Sequence, residues 1–124
     1  MKVDASISSN MSTVAREVTR LESIGYDGVK IAELDHDPFL PLAIAAEHSN
    51  EIELITSVAV AFARNPMTMA NVAHDLNAFS GGRFILGLGT QVQPHVVQRF
   101  GMPWYKGPRQ MREFIHAMHA IFDC

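Results

Sequence analysis

The sequence predicts an α/β fold of four consecutive βα units on a parallel sheet, in one domain spanning residues 1–124. Three observations predict it. Strand-like and helix-like segments alternate from one end of the chain to the other, the pattern of a parallel sheet joined by helical crossovers. Asx-Pro pairs at Asp37-Pro38 and Asn65-Pro66 stand where helices should start. In each pair an acceptor side chain precedes a residue whose missing N–H costs nothing at the first helical position. Glycines stand where helices should stop, at Gly25 and at Gly81-Gly82.

The elements follow in order. "KVDASI" from Lys2 to Ile7 alternates apolar and polar residues and reads as the first strand, with capping side chains next at Ser8, Ser9 and Asn10. Met11, Val14, Ala15, Val18, Leu21 and Ile24 recur at three- and four-residue steps and predict one helical stripe. "GVKIAEL" from Gly28 to Leu34 is the second strand, and the helix that Asp37 caps runs to about His48. "IELITSVAVAF" from Ile52 to Phe62 is rich in β-branched residues and nearly free of charge beyond Glu53, which predicts one long central strand covered on both faces. The helix after Asn65 should bury Met67, Ala70, Ala73, Leu76 and the Ala78 to Phe79 end. "RFILGLG" from Arg83 to Gly89 is the fourth strand. A loop with Pro94, Gly101, Pro103, Gly107 and Pro108 holds a short helical turn near His95 to Phe100. The last helix starts near Arg109 and turns Met111, Phe114, Ile115, Met118, Ile121 and Phe122 to one side.

Composition narrows the function. With 48% hydrophobic and 19% charged residues, the 124-residue chain can bury a real core and is not of the disordered class. A net charge of −3 and the lack of any basic run argue against a nucleic-acid partner. The N-terminus has no apolar leader, and no stretch approaches the roughly 20 apolar residues of a membrane span. Cys124 is the single cysteine, so no internal disulfide can form and a cytoplasmic location is expected.

Gly87-Leu88-Gly89 poses the question of a dinucleotide fingerprint. That motif needs a third glycine where this chain has Val92, and a helix N-terminus where it has a proline-containing loop. Two readings of the pair remain. The glycines relieve crowding against a neighbouring strand, or their missing side chains leave a floor for a flat ligand.

"TSVAVAFARNP", "NPMTMANVAHDLNAFSGGRFILGLGTQ" and "QRFGMPW" together carry a resemblance to the luciferase-like monooxygenase family, and within it to the oxidoreductases that use the deazaflavin coenzyme F-420. The likeness runs in the family's order over essentially the whole chain. It implies a (βα)8 TIM barrel of roughly 250 residues, of which this chain resembles the N-terminal half. It also implies FMN or coenzyme F-420 as cofactor, a small organic substrate, and hydride transfer between the two.

Barrel enzymes gather their site at the C-terminal strand ends. The resemblance places an active-site histidine after the second strand, which points to His36 as proton donor or substrate orienter. It places a non-prolyl cis peptide behind the cofactor ring at Ser57-Val58, where an ordinary strand is the alternative. Gly89, Thr90 and Gln91 are expected to approach the ring and the polar tail, or else to be plain strand-end residues. Glu33, Asp35, His36 and Asp37 stand close together after the second strand, and of these Asp37 is read as a helix cap rather than a catalyst. His95 and Arg99 are weaker candidates for facing a substrate.

No metal site is expected. Asp35, His36 and Asp37 offer ligand-type side chains, but residues adjacent in sequence rarely aim at one ion. Glu113, His116 and His119 share a helical face that reads as solvated, His48 and His74 read as helix residues without a chemical role, and Met67 and Met69 as packing. Besides the oxidoreductase reading, two others stay open. One is a non-catalytic half-barrel that covers its exposed edge strands by forming a homodimer or other homo-oligomer. The other is a flavodoxin-like open sheet that binds a phosphorylated ligand at its switch point.

Overall fold

A computed structural model describes residues 1–124. Strands β1 (Asp4–Ser6), β2 (Gly28–Ile31), β3 (Glu53–Thr56) and β5 (Phe84–Ile85) form one parallel sheet in the order β1-β2-β3-β5. The short pieces β4 (Ala59–Val60) and β6 (Leu88–Gly89) pair in parallel beyond it. Helices α1 (Val14–Ile24), α2 (Phe39–Glu47), α3 (Pro66–Phe79) and α4 (Gly107–Phe122) follow the four strand positions in turn. The strand order never reverses, so there is no switch point and the flavodoxin-like reading falls. The architecture is four βα units, half of an eight-stranded barrel.

Register explains which face is covered. Ala5, Val29, Leu54 and Phe84 align across the sheet, and Val29 and Leu54 are wholly buried. They join Val14, Val18, Leu42, Met69 and Phe114 in a core of 22 buried residues. One residue along, Ser6, Lys30, Ile55 and Ile85 align on the other face, and Ile85 is 43% exposed. Strand β3 is therefore interior in the sheet but covered on one face only, contrary to the expectation of two. β-branched composition reports strand propensity without counting covered faces.

The helix signals act where expected. Asn65 Oδ1 accepts the Thr68 N–H at 2.9 Å and Pro66 opens α3. Gly25 ends α1 at φ 106°, and Gly82, at φ 86°, returns its N–H to the Asn77 carbonyl at 2.8 Å. Asn10 turns the chain with its own carbonyl and side chain, so α1 begins at Val14 and Met11 stays exposed. Met69 rather than Met67 is buried in α3, and Phe79 is 62% exposed. In α4, Phe114 and Met118 are buried, while Ile115 and Phe122 lie outside the packed stripe.

The largest departure is in the third and fourth strands. The expected run from Ile52 to Phe62 breaks at Ser57-Val58, whose peptide is cis, and ends in a 3-10 turn over Ala61–Ala63. The fourth strand breaks beside it, between Ile85 and Leu88. Thr56 bridges the two breaks, its Oγ1 donating to the Gly87 carbonyl and accepting the Gly87 N–H, both at 2.9 Å. The Ala59 N–H also reaches the Gly87 carbonyl, at 2.8 Å. A side chain thus does the pairing that a regular ladder would have done.

Candidate functional site

Among the hollows at the C-terminal strand ends, two share a wall. The larger, about 500 Å3, is lined by Ser6, Ser9, Lys30, His36 and Ser57 among others. The smaller, about 240 Å3, is lined by Gln91, His95, Arg99 and Phe100 among others. Leu34 and Asp35 line both. The structure thus brings His36 and Ser57 together, and sets Gln91 in the adjoining hollow with His95 and Arg99. Gly89 and Thr90 line neither of these two.

Glycine at positions 87 and 89 answers to crowding. A Cβ on Gly87 would stand 2.1 Å from the Thr56 carbonyl oxygen, and one on Gly89 would stand 2.4 Å from Val58 Cγ2. The Val58 side chain occupies the space over Gly89 while remaining 37% exposed on its other side. Any flat ligand at this end would therefore meet Val58, not a bare glycine floor. Thr90 Oγ1 donates to the Gln91 carbonyl at 3.1 Å, and Gln91 sits at φ 56°, a left-handed conformation uncommon outside glycine.

An ion pair underlies the whole region. Glu33, only 7% exposed, follows β2, and its two oxygens each take a hydrogen bond from Arg64 at 2.8 Å. Glu33 Oε2 also accepts the Val60 N–H at 2.6 Å, and the Glu33 N–H donates to the Val58 carbonyl at 3.1 Å. Arg64 reaches Asp37 Oδ1 at 3.3 Å and the Val60 carbonyl at 3.2 Å, with its guanidinium 5.0 Å from the centre of the Phe39 ring. Burial works to lower the Arg64 pKa, but the hydrogen bonds and charge of Glu33, then Asp37, outweigh it and raise the value. The arginine is a permanent cation.

Asp37 caps α2 as expected, its Oδ2 accepting the Leu40 N–H at 2.7 Å. Sequence reasoning placed Glu33 near the site but missed its partner. The signal was present: Arg64 is the single Lys or Arg between Glu53 and Asp75, in an otherwise apolar stretch. Asp35 is 89% exposed on its side chain and stands 3.9 Å from Arg99. No group of three or more His, Cys, Asp or Glu side chains converges as a metal site would require, and Glu113 is engaged by Tyr105 at 2.6 Å and Arg109 at 3.0 Å. No helix is long and apolar enough to cross a membrane.

Comparison with known proteins gives these features a context. The profile of the luciferase-like monooxygenase family matches residues 3–123. An uncharacterized protein of Mycobacterium tuberculosis is 53% identical over 122 residues, covering 98% of this chain and 36% of that protein. A candidate coenzyme F-420-dependent oxidoreductase of the same organism is 36% identical over 110 residues, covering 87% of this chain and 31% of that protein. The oxygenating constituent of 3,6-diketocamphane monooxygenase from Pseudomonas putida, solved in complex with FMN, superposes with a TM-score of 0.85 at 19% identity, over 98% of this chain and 40% of that one. The chain thus spans about a third of the length of the curated relatives it matches.

Proposed function

The chain belongs to the luciferase-like monooxygenase family, and from that membership we propose that it supplies the first half of a cofactor-binding barrel. In this reading FMN or coenzyme F-420 lies across the C-terminal strand ends and exchanges hydride with a small organic substrate. One Mycobacterium tuberculosis relative carries coenzyme F-420 in its name, and the Pseudomonas putida protein binds FMN. The observation that carries the reading is local to this chain. His36 and Ser57 meet in one groove of about 500 Å3, beside a Val58 side chain seated on Gly89.

The residues present fit a flat, partly polar ring. Val58 offers an apolar wall, its side chain seated over Gly89 in the space a Cβ would otherwise fill. Ser57 in this groove and Gln91 in the adjoining hollow offer donors and acceptors for ring carbonyls and a polar tail. The cofactor, when bound, supplies the hydride chemistry. His36 is exposed, and its imidazole can hold a proton at either ring nitrogen and pass it to a substrate oxygen or carbon in the same groove. Lys30, facing the groove from the middle of β2, adds a positive charge that favours an oxygen-bearing substrate.

Titration of the purified chain with FMN and with coenzyme F-420, followed by quenching of cofactor fluorescence, tests the proposal. Saturable quenching by either supports it. No quenching by either up to about 1 mM, where binding is worth only about 4 kcal/mol, removes cofactor binding from this chain. In any form of the protein that turns over, His36→Ala should lower turnover by about 100-fold or more with the melting midpoint unchanged. An unaltered rate takes His36 out of the chemistry.

A second reading rests on the sheet edges. Strand β1 lacks a neighbour on one side, as does β5, and the face bearing Lys30, Ile55 and Ile85 is open. Two copies joined edge to edge across two equivalent interfaces would cover both. A solution mass of twice the chain favours this homodimer, and a monomeric mass at high concentration excludes it.

A further inference from the structure

Three residues, Leu34, Asp35 and His36, form a short hoop between Glu33 and Asp37, and all three are exposed. Both feet of the hoop stand on the same guanidinium. Arg64 grips Glu33 through two bonds of 2.8 Å and Asp37 through one of 3.3 Å. Glu33 in turn holds the far wall of the groove, taking the Val60 N–H at 2.6 Å and giving its own N–H to the Val58 carbonyl at 3.1 Å. The groove side chains His36 and Ser57 are therefore each one or two residues from a bond that leads back to Arg64.

We propose that Arg64 is a positioning residue, whose guanidinium fixes the His36 hoop against the Ser57–Val58 wall and so sets the width of the groove between them. Shape explains why arginine serves. A planar fork presents several donors at fixed angles, so it can grip one carboxylate with two bonds and still reach a second. A lysine ammonium has the charge but not the fork. Burial tightens the arrangement, because Glu33 is almost wholly withdrawn from water and an unpaired carboxylate there is costly. Phe39, under the guanidinium at 5.0 Å, limits the plane in which the fork can lie. The functional meaning of that width rests on the cofactor reading above.

Asp37→Ser separates positioning from folding. Serine is as good a helix cap as aspartate, so the Leu40 N–H keeps a partner, but its side chain is too short to reach Arg64. The melting midpoint should fall by no more than about 5 °C. Without any cofactor present, backbone order parameters of residues 34–36 should drop from about 0.85 to below about 0.6. In Arg64→Lys the same hoop should loosen, and affinity for whichever coenzyme the native chain binds should fall about tenfold, a difference of about 1.4 kcal/mol. The Asp37→Ser protein, in which the hoop is loose but Glu33 still holds Val58 and Val60, should lose less affinity than Arg64→Lys.

A hoop as rigid in Asp37→Ser as in the native chain overturns the proposal. Full retention of hoop order and coenzyme affinity in Arg64→Lys overturns it as well, since charge alone would then suffice. Should Arg64→Lys fail to fold, the Asp37→Ser order parameters decide. Failure of the native chain to bind either coenzyme would sink the cofactor reading and leave the order parameters to judge the positioning role.

Discussion

Two arginines hold opposite ends of the sheet, and they hold different things. Arg83, where the fourth strand begins, spends its guanidinium on uncharged oxygens: the carbonyls of Ser80 at 2.7 Å, Ile52 at 2.9 Å, Ala46 at 3.0 Å and Ser49 at 3.3 Å, and Ser49 Oγ at 2.8 Å. Arg64, beyond the end of the third strand, spends its own mainly on the carboxylates of Glu33 and Asp37. Ala46, Ser49 and Ser80 lie at the C-terminal ends of α2 and α3, where carbonyls lack intrahelical donors and carry partial negative charge. A cation there completes the helices and leaves no group over. At the other end the pinned carboxylates are feet, and the residues between them keep their side chains free. One end is built to be finished and the other to be used, the division expected of a barrel.

Breaking the finished end should have the largest effect. Arg83→Ala strips five hydrogen bonds and strands several carbonyls, so we expect a loss of about 3 kcal/mol or more in urea unfolding. At temperatures where the variant is folded, its coenzyme affinity should match that of the native chain. A loss below about 1 kcal/mol would show that water replaces the guanidinium easily, and the contrast between the two ends would collapse. Gly89→Ala tests the used end. Its Cβ would meet Val58 Cγ2 at 2.4 Å, so the valine must move. Overpacking of this kind costs about 1–3 kcal/mol, and the displaced wall should weaken coenzyme quenching while Arg83 and its partners stay in place. Unchanged quenching would mean that Val58 does not touch the ring.

The same contrast decides what could be read from the sequence. Asn65-Pro66, Asp37 and Gly81-Gly82 act over three or four residues, so local chemistry alone placed α2 and α3 nearly to their ends. The βα alternation likewise announced the parallel sheet. Strand order and the half-barrel came through family resemblance, and the cis peptide at Ser57-Val58 stood where that resemblance put it. What stayed hidden was long-range. Nothing in "TSVAVAF" announces that Thr56 will bridge to Gly87, 31 residues on, or that two strands will break side by side. Glu33 looked like one member of an acidic cluster because its partner is also 31 residues away. The bare Gly87 and Gly89 read equally well as a ligand floor or as relief from crowding, and only the position of Val58 separates the two.

Glu22 offers the finest test, because it does at the finished end with a carboxylate what Arg83 does with a cation. From the last turns of α1 it accepts the N–H groups of Asn50, Glu51 and Ile52, at distances from 2.8 to 3.1 Å, and so secures the entry to β3. Partial burial pushes its carboxyl up, but the backbone donors at Glu51, Ile52 and Asn50, with Arg83 adding charge, prevail and hold it below its ordinary value of 4.5. A carboxyl whose folded pKa lies below its unfolded one stabilises the fold at pH above the unfolded value. That stabilisation fades as pH falls through the folded value. The native chain should therefore exceed Glu22→Gln in urea midpoint at pH 7, and the gap should begin to close below about pH 4.5, as the free carboxyl starts to bind its proton. Glutamine cannot titrate, so its own curve carries no such step. A gap that holds constant from neutral pH through the carboxylate range would mean that the three N–H groups are served by an uncharged oxygen as well as by a charged one.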